Sequence, residues 1–200
     1  MELIVISSED KVFNEIEVVN KLFINGLKIF HLRKNNASEE IYSRFIERID
    51  SKYHNRIVLH DHHHLINEFN LKGIHLKELI RQDVEIDFEN YKRDIGFSET
   101  KHSLSSSFHS KDEIETSEID FDYLFLSPVF DSISKKKYSG KGFEVSDIDK
   151  KIFALGGISE NNISEAKKLG YTGIAVLGSV WNAENPIKEF KKIQDVCNQV

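Results

Sequence analysis

Residues 152–179 read IFALGGISENNISEAKKLGYTGIAVLGS. Two short apolar runs, Ile152–Leu155 and Gly173–Leu177, flank a segment of helical period from Asn161 to Leu169 that Gly170 stops. Strand, helix, strand at this spacing is a βαβ unit, and its two strands run parallel. The same alternation extends to both ends of the chain. Upstream strands are predicted at Leu3–Ile6, Leu27–Leu32, Arg56–Leu59, Gly73–Leu76, within Lys101–Ser107, and at Tyr123–Ser127. Helical stripes lie between them: Val12, Ile16, Val19, Leu22 and Phe23 ending at Asn25-Gly26, then Ile41, Phe45 and Ile49 behind a Ser38 cap. A helix around His63–Phe69, a short one after Ser110 and a last one after Pro186 complete the pattern, while residues 77–99 give no clear period. Eight strands in this alternation predict an α/β fold, a single (β/α)8 TIM barrel occupying residues 1–200 as one domain. An open doubly wound sheet is the alternative.

Composition narrows the class. Of 200 residues, 40% are apolar and 30% charged, which is a globular balance. Lys and Arg number 27 against 33 Asp and Glu, so the net charge of −6 argues against nucleic acid or an anionic membrane as partner. One cysteine, Cys197, builds no disulfide framework. The start, Met1–Ser7, has neither the basic residues nor the apolar length of a signal peptide, and no apolar run approaches a membrane span. The expectation is a cytoplasmic protein, with its oligomeric state open, a homo-oligomer included.

In a barrel the chemistry lies where the strands end at their carboxyl side. After the second strand, alternation puts His31, Arg33 and Asn35 on one face, and an inward arginine calls for an anion or a structural ion pair. After the third stand His60-Asp61-His62-His63-His64. A helix beginning at Asp61 would set His60 and His64 on one face with His63 beside them, a metal pattern, while Asp61 caps that helix or holds a divalent ion. A zinc site of His60, His62 and His64 is one reading; solvated histidines are the other. Ser107 and His109 follow the fifth strand, and His109 is the acid/base candidate, or else a rim hydrogen-bonding group. Ser132, Ser134 and Lys135 in the loop after the sixth strand form an anion clamp or simply a basic loop. Gly156-Gly157 and Leu177-Gly178-Ser179 after the last two strands offer backbone amides to a phosphate.

The series Phe30-His31-Leu32-Arg33, Gly73-Ile74-His75-Leu76, Ser107-Phe108-His109-Ser110, Ser127-Pro128-Val129-Phe130, Leu155-Gly156-Gly157-Ile158 and Gly173-Ile174-Ala175-Val176 resembles the thiamine phosphate synthase superfamily, which includes the TenI-type thiazole tautomerases. The resemblance covers nearly the whole chain and implies a TIM barrel. It implies condensation of hydroxymethylpyrimidine pyrophosphate with thiazole phosphate, releasing pyrophosphate, with magnesium. The family's Gln-x-Arg-x-Lys pattern falls on His31, Arg33 and Asn35, and its Asn-Asp on His60 and Asp61, which keeps one metal ligand. Its second metal aspartate falls on Ile80. Ser107 matches the pyrimidine-side serine, Ser132, Ser134 and Lys135 the Thr-x-Thr-Lys loop, and Gly157, Leu177 and Gly178 the thiazole-phosphate cradle. The resemblance thus assigns Arg33 and Lys135 to pyrophosphate. In the tautomerase branch the residue matching His109 moves a proton without metal. Synthase, tautomerase and a non-catalytic phosphate-ligand sensor therefore stand as three readings.

Overall fold

The computed structural model describes residues 1–9, 12–131 and 140–200. Eight strands close into a ring in chain order: β1 Glu2–Ile6, β2 Ile29–Leu32, β3 Ile57–Leu59, β4 Gly73–Leu76, β5 Ser103–Phe108, β6 Tyr123–Leu126, β7 Ile152–Leu155 and β8 Gly173–Val176. Every neighbouring pair is parallel, and β8 closes on β1 with Ile4 opposite Ala175. The expected (β/α)8 barrel is therefore the fold, and the open sheet is not. Outside the ring lie α1 Glu15–Ile24, α2 Glu39–Glu47, α3 Leu65–Glu68, α4 Glu78–Val84, α5 Phe88–Asp94, α6 Lys111–Thr116, α7 Ile163–Lys168, α8 Gly178–Trp181 and α9 Pro186–Gln199. Among the described residues, no helix is long and apolar enough to cross a membrane.

The strand period divides the buried residues into two sets. Val5, Phe30, Leu32, Leu59, Ile74, Leu76, Leu124, Leu126, Ile174 and Val176 pack outward against the helices. Each such side chain taken fully from water stabilises the fold by about 1.5–3 kcal/mol. The alternate positions fill the lumen, and its two halves differ chemically. From β1, β6, β7 and β8 come Ile4, Ile6, Tyr123, Phe125, Phe153 and Ala175. Facing them are His31, His75 and Ser105, with His60 one residue past β3, all buried.

Three local readings needed correction. The α2 stripe runs through Tyr42, Phe45 and Ile46, whereas Ile41 is half exposed. A tyrosine can bury its ring and still carry its hydroxyl to a polar partner, so the aromatic wins the inward place. The helix expected around His63–Phe69 runs from Leu65 to Glu68, and the start at Asp61 that the metal pattern required does not form, because His62 takes a left-handed φ of 53° that no continuing helix allows. The unreadable residues 77–99 contain two seven-residue helices, α4 and α5, separated by a 3₁₀ turn. Each is too short for a strong period.

Glycine is needed where β4 meets β5. A Cβ on Gly73 would lie 1.9 Å from the carbonyl oxygen of Ser103, which is backbone of a paired strand and cannot yield. Gly73→Ala should therefore destabilise the protein by about 3 kcal/mol. Urea unfolding followed by circular dichroism measures this, and an unshifted midpoint would contradict the packing described.

Candidate active site at the carboxyl ends of the strands

The rim of the mouth is built from residues just beyond β2, β3, β4, β5 and β7, and from α8. Arg33 follows β2 and reaches Glu9 at 3.2 Å, while its Nε is buried without a hydrogen-bond partner among the described residues. Lys34 points away from it, into Glu15 at 2.5 Å and the Ser8 carbonyl at 2.8 Å. It therefore holds the β1–α1 connection and does not substitute for a mouth lysine. Burial raises the Glu15 carboxyl above its usual range, with Lys34 opposing that shift.

Asp61, past β3, is gripped by two groups. The Lys77 ammonium, just past β4, donates to Oδ1, and the Tyr42 hydroxyl donates to Oδ2 at 3.1 Å. Tyr42 in turn accepts the Lys34 amide at 2.9 Å. Burial, with the Asp61 charge adding to it, pushes the Tyr42 phenol above its ordinary range, so it stays a donor.

His109, two residues past Ser107, donates from Nδ1 to the Ser127 carbonyl at 2.9 Å. In the neutral ring this leaves Nε2 as the basic nitrogen, and it sits 3.7 Å from Glu78 Oε2. Lys141 bonds the His109 carbonyl at 3.1 Å. His109 is thus hydrogen-bonded at the rim, with its other ring edge partly exposed.

Gly156 and Gly157 have φ of 92° and 68° and lie under the chain that leaves β6. Val129 and Phe130 donate to the Leu155 and Gly156 carbonyls at 3.0 and 3.1 Å. A Cβ on Gly157 would stand 2.4 Å from the Asp131 oxygen, so only glycine permits that approach. Across the gap, Gly178 and Ser179 open α8, where no preceding turn can accept their amide protons. Trp181 Nε1 donates to the Ile6 carbonyl at 2.6 Å and fixes this turn to β1. Ser179 Oγ is buried and unbonded among the described residues. Backbone amides and a hydroxyl so placed can donate to an anion.

The expected shared face of His31, Arg33 and Asn35 does not form. Strand geometry ends at Leu32, so His31 lies wholly buried in the lumen, Arg33 stands at the rim and Asn35 is exposed in a turn. His60 is likewise a lumen residue, 3% exposed, and not a mouth group. The histidine run also disperses. His62 Nε2 bonds the Ala37 carbonyl at 2.9 Å, His63 Nδ1 the Tyr91 hydroxyl at 2.5 Å, and His64 faces Glu39 at 3.1 Å. No zinc site of His60, His62 and His64 exists. Ser132, Ser134 and Lys135 lie outside the described residues. Sequence reasoning missed Lys77, Tyr42 and Tyr123. Lys77 could have been found, since it is the first residue beyond a strand at the carboxyl end.

The residues present do not fit the magnesium ion that the resemblance implies. Asp61 is the single carboxylate of the pattern, and its oxygens are already taken by an ammonium and a phenol. Ile80, at the second ligand position, offers no oxygen and packs on the apolar core. Magnesium demands several hard oxygen ligands. The cation beside Asp61 is Lys77.

Comparison with known proteins gives the setting. The family described as "Thiamine monophosphate synthase" matches residues 3–180. A crystal structure of thiamine phosphate pyrophosphorylase from Bacteroides thetaiotaomicron is 32% identical, covers 99% of this chain and 98% of its own, and superposes with a TM-score of 0.75. A curated thiamine-phosphate synthase of Dictyoglomus turgidum is 27% identical over 190 residues, 89% of this chain and 81% of that protein. One from Prochlorococcus marinus strain AS9601 is 28% identical over 185 residues, 88% of this chain but 51% of that protein. The chain thus spans about half the length of the Prochlorococcus relatives it matches. With the family matched across nearly all of the barrel and the strand-end motifs brought to one mouth, the chain belongs to the thiamine monophosphate synthase family.

Proposed function

We propose that this protein is a thiamine-phosphate synthase, joining hydroxymethylpyrimidine pyrophosphate to thiazole phosphate. The observation that carries the reading is an anion cradle at the ends of β7 and β8 facing a cationic rim at the ends of β2 and β4, within a barrel 32% identical to the thiamine phosphate pyrophosphorylase from Bacteroides thetaiotaomicron. The thiazole phosphate would seat its phosphate on the amides around Gly157, Leu177, Gly178 and Ser179. Ser107 would border the pyrimidine.

In the chemical step the thiazole nitrogen forms a C–N bond to the pyrimidine methylene carbon. The bond from that carbon to the pyrophosphate oxygen breaks, and the leaving group takes the electron pair. No proton transfer is required, and the product is a thiazolium. The demand on the protein is to stabilise negative charge growing on pyrophosphate. Arg33 and Lys77 supply fixed positive charge for this from two strand ends. Asp61 and Tyr42 orient Lys77 and so act as positioning residues. His109 stands beside the ring site, with Glu78 near its Nε2.

Purified protein incubated with both half-substrates, with and without added Mg²⁺, should form thiamine phosphate and pyrophosphate in equal amounts. Isomerised thiazole without condensation would replace the reading with a tautomerase, and ligand binding without turnover would replace it with a sensor.

Lys77→Met should lower kcat/KM for the pyrimidine pyrophosphate by roughly a hundredfold, the scale of losing one charge-stabilising donor. Lys77→Arg should recover part of that loss. Unchanged kinetics in Lys77→Met would remove Lys77 from the mechanism.

A further inference from the structure

The polar half of the lumen has a composition the condensation does not use. His31, His60 and His75 come from β2, the end of β3 and β4, and are 0%, 3% and 1% exposed. Each can offer a ring nitrogen such that all three nitrogens lie within 4.8 Å of one another. His31 Nδ1 and His60 Nε2 are 2.9 Å apart, and the His60 ring stacks on His75 with centroids separated by 4.1 Å.

Nitrogens bound at the usual zinc distance of about 2.05 Å in a tetrahedron are about 3.3 Å apart. One pair, at 2.9 Å, lies slightly inside that value, and all three nitrogens lie within 4.8 Å of one another. The outer nitrogens are already supported. His31 Nε2 lies 2.8 Å from the Tyr123 hydroxyl, and His75 bonds Ser105 at 2.9 Å through Nδ1 and Ser107 at 2.8 Å through Nε2. A histidine that ligates a metal needs such a partner on its other nitrogen, to fix the tautomer and the ring orientation. With the ion on His31 Nδ1, the ring proton moves to Nε2 and is accepted by Tyr123. His75 keeps one serine on whichever nitrogen it does not give. Phe125 packs against both His31 and His75 with centroids 4.9 Å away and walls the site with apolar surface.

We propose that His31, His60 and His75 bind a divalent transition-metal ion of the zinc class inside the barrel, beneath the active-site mouth. Three neutral imidazoles select borderline cations such as Zn²⁺ and Co²⁺ over magnesium. The site is separate from Asp61 and its partners, and it does not depend on which reaction the mouth performs. The fourth ligand comes from the side of Ser107, and an anion or hydroxide there offsets the buried charge.

The test uses the whole chain, stripped with a chelator, dialysed and titrated with Co²⁺ and Zn²⁺. One equivalent of Co²⁺ should bind with the intense visible absorption of a tetrahedral centre, and Zn²⁺ should displace it. Excess Zn²⁺ should raise the melting temperature, because it binds only the folded state at this site. His31→Gln and His60→Asn install the residues that the family pattern carries at these places, so both variants should fold. Each should lose the absorption and the zinc-induced shift while melting near the wild type in chelator. A His62→Ala, His64→Ala double variant should keep both signals. Substoichiometric binding in the wild type, or a cobalt spectrum that survives His31→Gln and His60→Asn, would overturn the proposal.

Discussion

A buried imidazole without a hydrogen-bond partner costs about 1–3 kcal/mol, and a charged one costs far more. Three of them occupy the inside of this barrel, so their satisfaction governs which residues can surround them. Burial holds all three well below the usual histidine range, His31 to about 3, with neighbouring positive groups adding to the effect. They are neutral near pH 7, and each has one donor and one acceptor to place. Tyr123 from the facing wall partners His31, Ser105 and Ser107 from β5 partner both nitrogens of His75, and His31 and His60 partner each other. Of the serines in β5, weak strand formers by propensity, Ser105 and Ser107 serve His75, while Ser106 bonds the Leu76 carbonyl at 2.7 Å.

This filling has a consequence for the rim. The lumen groups are neutral, so formal charges collect one layer higher, where solvent reaches them. Arg33 with Glu9 and Lys77 with Asp61 stand there as opposite-sign pairs, and His109 Nε2 lies 3.7 Å from Glu78. Arg33 and Lys77 are therefore each held by a carboxylate of the chain until an anionic ligand competes for them. Exposed pairs of this kind are weak, about 0–1 kcal/mol, so a polyphosphate can displace or share them at small cost. The Lys77–Asp61 pair is the exception in character. Tyr42, wholly buried in α2, reaches up to the same carboxylate and ties the rim charge to the helical layer.

The fold was legible because strand and helix periods differ, and because Leu3–Ile6, Gly73–Leu76 and Gly173–Val176 are short apolar runs at regular intervals. What could not be read was depth. Alternation predicts that His31 and Arg33 share a face, but it cannot say that β2 ends between them, leaving one inside and the other at the surface. The same applies to His60: one position past β3, it still points inward, while the next four residues scatter over the rim and the helices. The glycine pair after β7 was readable as a place where the backbone does what other residues resist, and Gly156 and Gly157 do take positive φ under the closely approaching chain from β6. Lys77 was hidden for the opposite reason. A lysine is at home anywhere on a surface, and only its position against Asp61 gives it meaning.

The two halves of the lumen also explain why the site can be asymmetric. Ile4, Ile6, Phe125, Phe153 and Ala175 need no polar partners, and two of the strands that carry them, β7 and β8, lead into Gly156-Gly157 and Leu177-Gly178. On the other side, β2 to β5 must bind their own interior groups and carry fixed charges above them. A phosphate that wants backbone amides and a leaving group that wants cations would therefore be drawn to opposite sides of one mouth. Relative placement of two substrates would then follow from how the core is filled. Substitutions deep in the polar half would alter the cationic side without contact with either substrate, since Ser107 joins the His75 layer to the mouth through a single hydroxyl.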